Sequence, residues 1–414
     1  MTSVATLSPP PPASASRPPP PAAAPPAKPN YPAPASLPTQ SGPHGIRYDF
    51  NFGARLVLPE GDFRARLSDA ETANTLFETS RGGVTIHSSK RFFVRFRLEV
   101  WDGDGNSLFA HDYDARGRAV LINFPVGTIG DTVGWLPYAV QFQQAHDCHL
   151  TVAMAERMIP LFAASYPQIS FLAHEAVETG QFYATYNIGL FFDDAACENQ
   201  PTDFRQVGLH RTAAYILGVD PQEEPPTLSL RDNSRPIAEP YVCLAVQAST
   251  HAKKWNNPHG WTRIVETLKA SGYRVVCIDR DRAHGAGLAW THLPHGVEDE
   301  TGERPLEERA RWLAHADAFI GVSSGLAWLA WAAGCPVVMI SGFTHPSNEF
   351  ATPGRVINWH VCNSCWNDPR HRFDHADYLW CPRHAGTARA FECTRSITAA
   401  QVETAMRRVG LTLA

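Results

Sequence analysis

Four cysteines crowd the last fifth of the sequence at a spacing that suits a metal ion. Cys362 and Cys365 form a tight pair, and Cys381 and Cys393 follow after 15 and 11 intervening residues. Four thiolates can supply soft ligands in tetrahedral geometry, and they leave no coordination position open, so the pattern predicts a structural metal finger. The spacing alone favours zinc over iron, and four unrelated thiols in an aromatic-rich loop are the alternative. Nearby histidines leave a mixed ligand set open: His360, His371, His375 and His384.

A second pattern is a buried strand that runs into a serine and glycine turn and then into a helix, between Phe319 and Ala330. The turn would lie at the N-terminus of that helix, where free N–H groups and the helix dipole attract a diphosphate. A plain strand-to-helix turn with a serine cap is the alternative. The candidate anion-binding residues are Ser323, Ser324, Gly325 and Leu326.

A third pattern, from Gln247 to Trp261, also follows a strand and precedes a helix. Such strand-end loops are where α/β sheets bind anionic ligands. Lys253 would neutralise a leaving diphosphate, and Gln247 and Thr250 would add hydrogen bonds to it; a solvated loop anchored by tryptophans is the alternative. Asp279 ends the next strand, where it would meet a ribose or an adenine, or simply terminate the strand.

Asp131 is the candidate general base. It lies in a glycine-containing segment, residues 123–137, at the carboxyl end of the first predicted α/β strand, and would point into a cleft. The alternative is an aspartate that caps the following helix. Three residues in the loop after the last strand would face the same cleft and touch a sugar: Thr344, His345 and Asn348.

The composition describes a globular protein with an unusual start. With 414 residues, 44% of them hydrophobic, the chain has enough apolar material for two or three domains. The formal charge of −5 and the scattered Lys and Arg residues argue against a nucleic-acid partner. There is no apolar run of the ~18 residues that span a bilayer and no signal peptide, so we expect a cytoplasmic protein without membrane contact.

Two alternating series of strands and helices position these residues. Residues 1–44 hold 15 of the 34 prolines and predict a disordered tail. Short alternating runs in residues 45–118 predict a small antiparallel β-rich domain, in which the DGDGN segment is a hairpin turn rather than a calcium loop. Residues 119–225 and 226–360 each predict a Rossmann-like unit with a parallel sheet, followed by the finger in residues 361–395 and a C-terminal helix in residues 396–414. The fold class is therefore α/β, with two Rossmann-like domains enclosing a cleft.

The longest of these segments resemble the bacterial autotransporter heptosyltransferase family, a relative of the lipopolysaccharide heptosyltransferases. The resemblance covers about residues 45–414 and is carried by INFPVGTIGDTVGW, QASTHAKKWNNPHGW, GVSSGLAWLAWAAGCPVVMISGFTHPSNEF and the finger segments CNSCW, WCPRH and FECT. It implies a GT-B glycosyltransferase core and iron rather than zinc in the finger, one ion per subunit. It also implies a large homo-oligomeric ring, such as a dodecamer. The proline-rich residues 1–44 have no counterpart in the family pattern.

The resemblance also implies a reaction. Heptose would pass from ADP-glycero-manno-heptose to serine hydroxyls on the passenger domain of an autotransporter adhesin before export, with inversion and with Asp131 as the base. Lys253 and the turn at residues 323–326 would hold the departing ADP. Two alternatives remain: a lipopolysaccharide-type heptosyltransferase acting on a lipid-linked sugar, and a non-catalytic scaffold that binds adhesin.

Overall fold

The N-terminal region contributes strands to two different sheets. The computed structural model describes residues 31–125 and 128–414. A separate antiparallel sheet has the strand order β5-β4-β7-β8, whereas β1, β2, β3 and β6 join the sheet of the next domain. The strands are β1 (Gln40–Ser41), β2 (Arg47–Asn51), β3 (Arg55–Val57), β4 (Phe63–Asp69), β5 (Thr75–Thr79), β6 (Thr85–His87), β7 (Phe96–Asp102) and β8 (Ser107–Asp112).

The first Rossmann-like domain is built on four parallel strands. The apolar run of β9 is buried from Val120 to Ile122, because helices and the N-terminal region cover the sheet. The strand order is β11-β10-β9-β12-β2-β3-β6. The elements are β9 (Ala119–Asn123), α1 (Ile129–His146), β10 (His149–Met154), β11 (Ser170–Ala173), β12 (Ala184–Asn187), α2 (Phe204–Val207) and α3 (Leu209–Leu217).

The second Rossmann-like domain has an all-parallel sheet with the order β17-β14-β13-β18-β19-β20, and the hairpin β15–β16 pairs apart from it. Its strands are β13 (Tyr241–Ala245), β14 (Arg274–Cys277), β15 (Ala283–Ala286), β16 (Ala289–His292), β17 (Glu298–Asp299), β18 (Ala318–Val322), β19 (Val337–Ile340) and β20 (Gly354–Val356). Its helices are α4 (Gly260–Ala270), α5 (Leu306–Ala314) and α6 (Gly325–Ala332).

The C-terminal part returns to the second domain. The cysteine-rich stretch consists mainly of turns and ends in the short helix α7 (Glu392–Arg395). Helix α8 (Ala399–Arg408) follows and begins with a capping box between Thr398 and Gln401. Val402, Ala405 and Met406 of α8 belong to the same buried cluster as Ile264 and Leu268 of α4, so α8 completes the cover of the second sheet.

The prediction that residues 1–44 are disordered is wrong for residues 31–44, which the structure describes. Residues 1–30 lie outside the described part of the chain. Arg55 donates to the carbonyl of Ala35 at 2.7 Å, and the backbone N–H of Thr39 donates to Asp49 at 2.9 Å. The Tyr31 hydroxyl donates to the Ile188 carbonyl at 3.2 Å. A segment with few apolar side chains is therefore held by polar groups of the folded chain, which its composition alone does not reveal.

Two further expectations need correction. The N-terminal β-rich region is not a self-contained module, because β2 pairs in parallel with β12 and continues the first Rossmann sheet. The alternation of strands and helices also predicts a helix after β10, and the structure has a 3₁₀ segment there, Glu156–Leu161. Pro160 lies within it and lacks the N–H that an α-helix needs, which explains the short element. Within the described parts of the chain, no helix combines the length and apolar character required to cross a membrane.

Candidate functional site

The two domains meet where the first turns of α1 and α6 approach each other. A Cβ added at Gly325 would lie 2.8 Å from Cβ of Ile129, and one added at Gly130 would lie 2.8 Å from the ring of Trp328. Such distances are too short for real Cβ contacts, so a side chain at either position would force its neighbour to move. The strand-to-helix turns that sequence patterns had picked out in each domain therefore lie against one another.

Asp131 occupies the first turn of α1 and carries a perturbed carboxyl group. Burial raises its pKa, while a hydrogen bond from the Thr128 hydroxyl and the positive charge of Lys253 act in the opposite direction. Thr128 is the residue that caps this helix, and the Thr-x-x-Asp spacing is the sequence signal that pairs the two side chains. Asp131 thus has a raised proton affinity and interacts electrostatically with a lysine of the other domain. Both properties suit the role of a general base.

Lys253 lies on the side of the cleft opposite Asp131, at the end of the 3₁₀ turn His251–Lys253. Its Nζ is 5.6 Å from the ring centroid of Phe343 and 6.0 Å from that of Trp366. Burial lowers the pKa of this ammonium, and the charges of Glu349 and Asp131 oppose that effect. Lys253 is thus a cation held among ring faces and two carboxylates, which suits an anionic leaving group.

Glu349 is a site residue that the sequence patterns missed. It is only 3% exposed, and its carboxylate accepts hydrogen bonds from the hydroxyls of Ser323 and Thr344, the latter at 2.5 Å. It also forms an ion pair with Arg355. Its only signal in the sequence is a glutamate immediately after Asn348 in the FTHPSNEF loop, and a carboxylate at a loop end is too common to stand out.

The predicted strand-to-helix turn is present, and its two hydroxyls differ. Ser323 donates its proton to Glu349 and so has none to offer a phosphate. The Ser324 hydroxyl is buried and has no hydrogen-bond partner in the described structure. Gly325 begins α6 and Leu326 is partly buried in its first turn, so the free backbone N–H groups lie beside Ser324. Ser324 is therefore the better hydroxyl donor for a diphosphate.

Three residues predicted to contact the donor form hydrogen bonds that organise the loop between β13 and α4. Asp279 is buried and accepts from the backbone N–H groups of Val246 at 2.7 Å and Gln247 at 3.4 Å, and burial raises its pKa to about 6. The Thr250 hydroxyl donates to the Tyr378 carbonyl at 3.0 Å, and the Gln247 amide donates to the Asp281 carbonyl. These hydrogen bonds use part of the polar groups of the three side chains, and their contact with ribose or phosphate stays a prediction.

The three predicted sugar contacts are separated by burial. Thr344 is buried and bonded to Glu349. Asn348 is also buried, and its Oδ1 accepts the indole N–H of Trp366 at 3.1 Å. His345 alone of the three is exposed, with Nδ1 2.8 Å from the Ser347 hydroxyl. Its imidazole is therefore accessible to a ligand from solvent.

The four finger cysteines are free thiols that line one small cavity. Burial raises the pKa of the Cys365 and Cys393 thiols to about 12, a cost that a bound cation offsets by binding the thiolate. The cysteines thus provide a donor set that fits a soft or borderline metal ion. Ligand atoms of Cys362, His384 and Glu392 also lie within 4.8 Å of one another, so a mixed set remains compatible with the structure.

Comparisons with known proteins agree with this architecture. Residues 42–104 match the family described as "Glycosyltransferase TibC, N-terminal domain", and residues 169–372 match "Glycosyltransferase family 9 (heptosyltransferase)". The autotransporter heptosyltransferase BAHTCr of Citrobacter rodentium is 52% identical over 92% of this chain and 93% of its own length. An inactive autotransporter heptosyltransferase, BimC of Burkholderia thailandensis, is 47% identical over 91% of this chain and 88% of its own.

A solved structure carries the comparison to three dimensions. The dodecameric iron-containing heptosyltransferase TibC of Escherichia coli, in complex with ADP-D-β-D-heptose, is 50% identical and superposes with a TM-score of 0.87, covering 91% of this chain and 98% of its own. The family and the GT-B fold expected from the sequence are thereby confirmed. The chain belongs to the autotransporter heptosyltransferase family and is a glycosyltransferase.

Proposed function

We propose that the protein transfers heptose from an ADP-heptose donor to serine hydroxyls on the passenger domain of an autotransporter adhesin. The observation that carries the proposal is the facing pair of Asp131 and Lys253, a candidate base and a candidate phosphate-binding cation contributed by different domains. The ADP-heptose bound to TibC supports the donor, and the family name supports the acceptor.

Asp131 accepts the proton of the acceptor serine as its oxygen attacks the anomeric carbon of heptose. The bond between the serine oxygen and the anomeric carbon forms while the bond between that carbon and the ADP oxygen breaks. The configuration at the anomeric carbon is inverted. Thr128 holds the base through its hydrogen bond. Burial keeps the proton affinity of the carboxylate higher than that of an exposed aspartate, which favours proton transfer near neutral pH.

The departing ADP receives the negative charge. Lys253 supplies a positive charge, and the first turn of α6 supplies backbone N–H groups together with the Ser324 hydroxyl. These groups provide the electrostatic stabilisation that other transferases take from a divalent ion. Glu349 holds the Ser323 and Thr344 hydroxyls in place beneath this loop.

We propose further that the finger binds one iron ion per subunit through Cys362, Cys365, Cys381 and Cys393, in a structural role; zinc is the alternative. The description of TibC as iron-containing supports iron. Metal analysis of freshly purified protein identifies the ion. Single Cys→Ser variants should each release it and lower the thermal stability, because metal binding is coupled to folding. Retention of one ion per chain in the Cys381→Ser variant, with His384 and Glu392 intact, contradicts the four-cysteine set.

We also propose an assembly and a compartment for the protein. TibC is described as dodecameric, and we propose that this chain also forms a large homo-oligomeric ring. Clustered free thiols suit a reducing compartment, so we place the reaction in the cytoplasm, before the acceptor is exported.

A second candidate function is an adhesin-binding scaffold without turnover, which the inactive relative BimC brings forward. Mass spectrometry of a serine-rich passenger fragment, incubated with the protein and ADP-heptose, separates the two. A heptose-sized mass gain that disappears in the Asp131→Asn variant supports transfer. Binding of the fragment without any mass gain favours the scaffold, and transfer only to a lipid-linked sugar acceptor favours the lipopolysaccharide type.

A further inference from the structure

We propose that Trp366 in the metal finger is a positioning residue of the donor site, through which the finger orients Lys253 and Asn348. The inference rests on the proposed function for the identity of the donor. It extends the finger beyond a purely structural role, because Trp366 directly follows Cys365 in the chain and reaches across to both loops of the cleft.

The first contact is with Lys253. The Trp366 ring centroid lies 6.0 Å from Nζ of Lys253, and the Phe343 ring flanks the same ammonium at 5.6 Å. A ring face attracts a cation without accepting hydrogen bonds from it. The three N–H groups of the ammonium therefore stay available for the oxygens of a diphosphate, while the rings fix where the charge sits.

The second contact is with Asn348. The indole N–H of Trp366 donates to Oδ1 of Asn348 at 3.1 Å, and both side chains are buried. Accepting this bond fixes which end of the amide is the oxygen, and the NH₂ group is left as a donor. One tryptophan thus orients a cation in the loop before α4 and an amide in the loop after β19.

The indole itself is held firmly by residues from both domains. Its ring centroid lies 5.7 Å from Phe192 and 6.1 Å from Phe204 of the first domain. Phe343 and Phe373 lie at 5.7 Å and 5.2 Å on the side of the second domain and the finger. Because the ring is packed on several sides, it cannot turn away from Lys253 without disturbing this cluster.

The test compares Trp366→Leu, Trp366→Phe and the control Trp255→Phe. Trp255 is also buried and donates its indole N–H to a carbonyl, that of Ile397 at 3.0 Å, but it packs with the α4 and α8 cluster. Metal content, oligomeric state and ADP affinity by calorimetry are measured for each variant. Trp366→Leu should keep its metal and bind ADP about tenfold more weakly, whereas Trp255→Phe should bind it normally.

A double-mutant cycle with Lys253→Ala separates positioning from general destabilisation. If Trp366 acts through Lys253, Trp366→Leu has little further effect on ADP affinity once the lysine is gone. Additive losses, or an ADP affinity of Trp366→Leu equal to that of the Trp255 control, overturn the proposal.

Trp366→Phe keeps a ring face and removes only the N–H group, so it covers the case in which the leucine variant does not fold. ADP affinity should then be nearly unchanged, while KM for ADP-heptose rises several-fold because Asn348 loses its partner. Unchanged KM overturns the Asn348 part of the proposal. ADP binding is measured without an acceptor, so a wild-type protein that transfers nothing contradicts the proposed function and still leaves the cycle with Lys253 interpretable.

Discussion

Asp131 and Lys253 carry opposite charges. Burial disfavours the charged form of each residue, and the charge of each residue favours the charged form of the other. Burial raises the pKa of the carboxyl and lowers that of the ammonium, and the attraction between the two opposes both effects. Because the residues belong to different domains, this balance depends on how the cleft is assembled. Replacing one of them therefore changes the proton affinity of the other as well as its own chemistry.

The Asp131→Asn variant should lose nearly all transfer activity. Removing a general base costs about 10²- to 10⁴-fold in rate, whereas the amide has nearly the same shape and leaves the diphosphate contacts in place. We expect ADP to bind in calorimetry, with a loss of affinity confined to alkaline pH, where Lys253 gives up its proton more readily without the Asp131 charge. Normal turnover by this variant would remove Asp131 as the base.

Thr128→Val should shift the pH dependence of transfer. The base works as a carboxylate, so kcat/KM falls as the pH drops through the pKa of Asp131. The hydrogen bond from Thr128 stabilises the carboxylate and lowers that pKa. Its loss raises the pKa further, and the acidic limb of the pH–rate profile moves to higher pH. A limb that stays in place or moves to lower pH contradicts this role for Thr128.

Glu349→Gln should weaken ADP binding most strongly at alkaline pH. The Glu349 carboxylate favours the charged form of Lys253, so its neutralisation lowers the pKa of the lysine beyond the effect of burial. The variant then loses the ammonium, and with it ADP affinity, at a lower pH than the wild type does. Calorimetric titrations across pH test this, with Glu403→Gln in α8 as the control. Parallel pH profiles for wild type and Glu349→Gln contradict it.

Single elements were predictable from the sequence where local patterns decide them. The continuous apolar runs of β9, β18 and β19 indicated buried parallel strands, and each of these strands has a neighbour on both sides in its sheet. The pairing of β2 with β12 was not predictable, because residues more than a hundred positions apart choose each other by packing and not by local propensity. The hydrogen-bond partners of serine and threonine hydroxyls are equally unpredictable from local sequence.

The candidate site shows this limit clearly. The turn at Ser323 and Ser324 was recognisable as a strand-to-helix turn. Only the structure reveals that the Ser323 hydroxyl donates a hydrogen bond to Glu349, while the Ser324 hydroxyl has no partner among the described residues. Asp279 was recognisable as a strand-end aspartate. The neighbouring sequence does not tell whether its carboxylate accepts hydrogen bonds from the backbone or from a ligand. Sequence patterns locate loops of a site and leave the partners within them undetermined.

Gly342→Ala should loosen the finger from the second domain. Gly342 follows β19, and a Cβ there would lie 2.4 Å from the Cys393 carbonyl oxygen and 2.7 Å from its carbonyl carbon. These are backbone atoms, so the finger must move, at a cost of about 1–3 kcal/mol. Thermal unfolding and metal content per chain measure the effect. Gly180→Ala, where a Cβ meets nothing within 4 Å, should be nearly silent, and equal behaviour of the two variants contradicts the close approach.

On the scale of the whole molecule, the linker between α3 and β13, residues 218–240, also joins the two domains. Glu223 lies in this linker and accepts a hydrogen bond from His210 of α3 at 3.0 Å. It also accepts from the backbone N–H of Ala351 at 2.9 Å, two residues after Glu349. The Glu223 carboxylate thus connects α3 of the first domain to the loop of the second domain that contains Glu349.

Glu223→Ala should lower the free energy of unfolding by about 1 kcal/mol near neutral pH, the scale of a partly buried charged hydrogen bond. Burial alone would raise the pKa of Glu223, but the hydrogen bonds from His210 and Ala351 outweigh it and leave the pKa lowered. A carboxyl with a lowered folded-state pKa contributes its stability above the unfolded value of about 4.3 and loses it as the pH falls through the folded value. The difference between wild type and variant should therefore shrink in acid. Denaturant unfolding at several pH values measures it, with the exposed neighbour Glu224→Ala as the control. A difference that does not change with pH, or an equal loss in the Glu224 variant, contradicts the bridge between the domains.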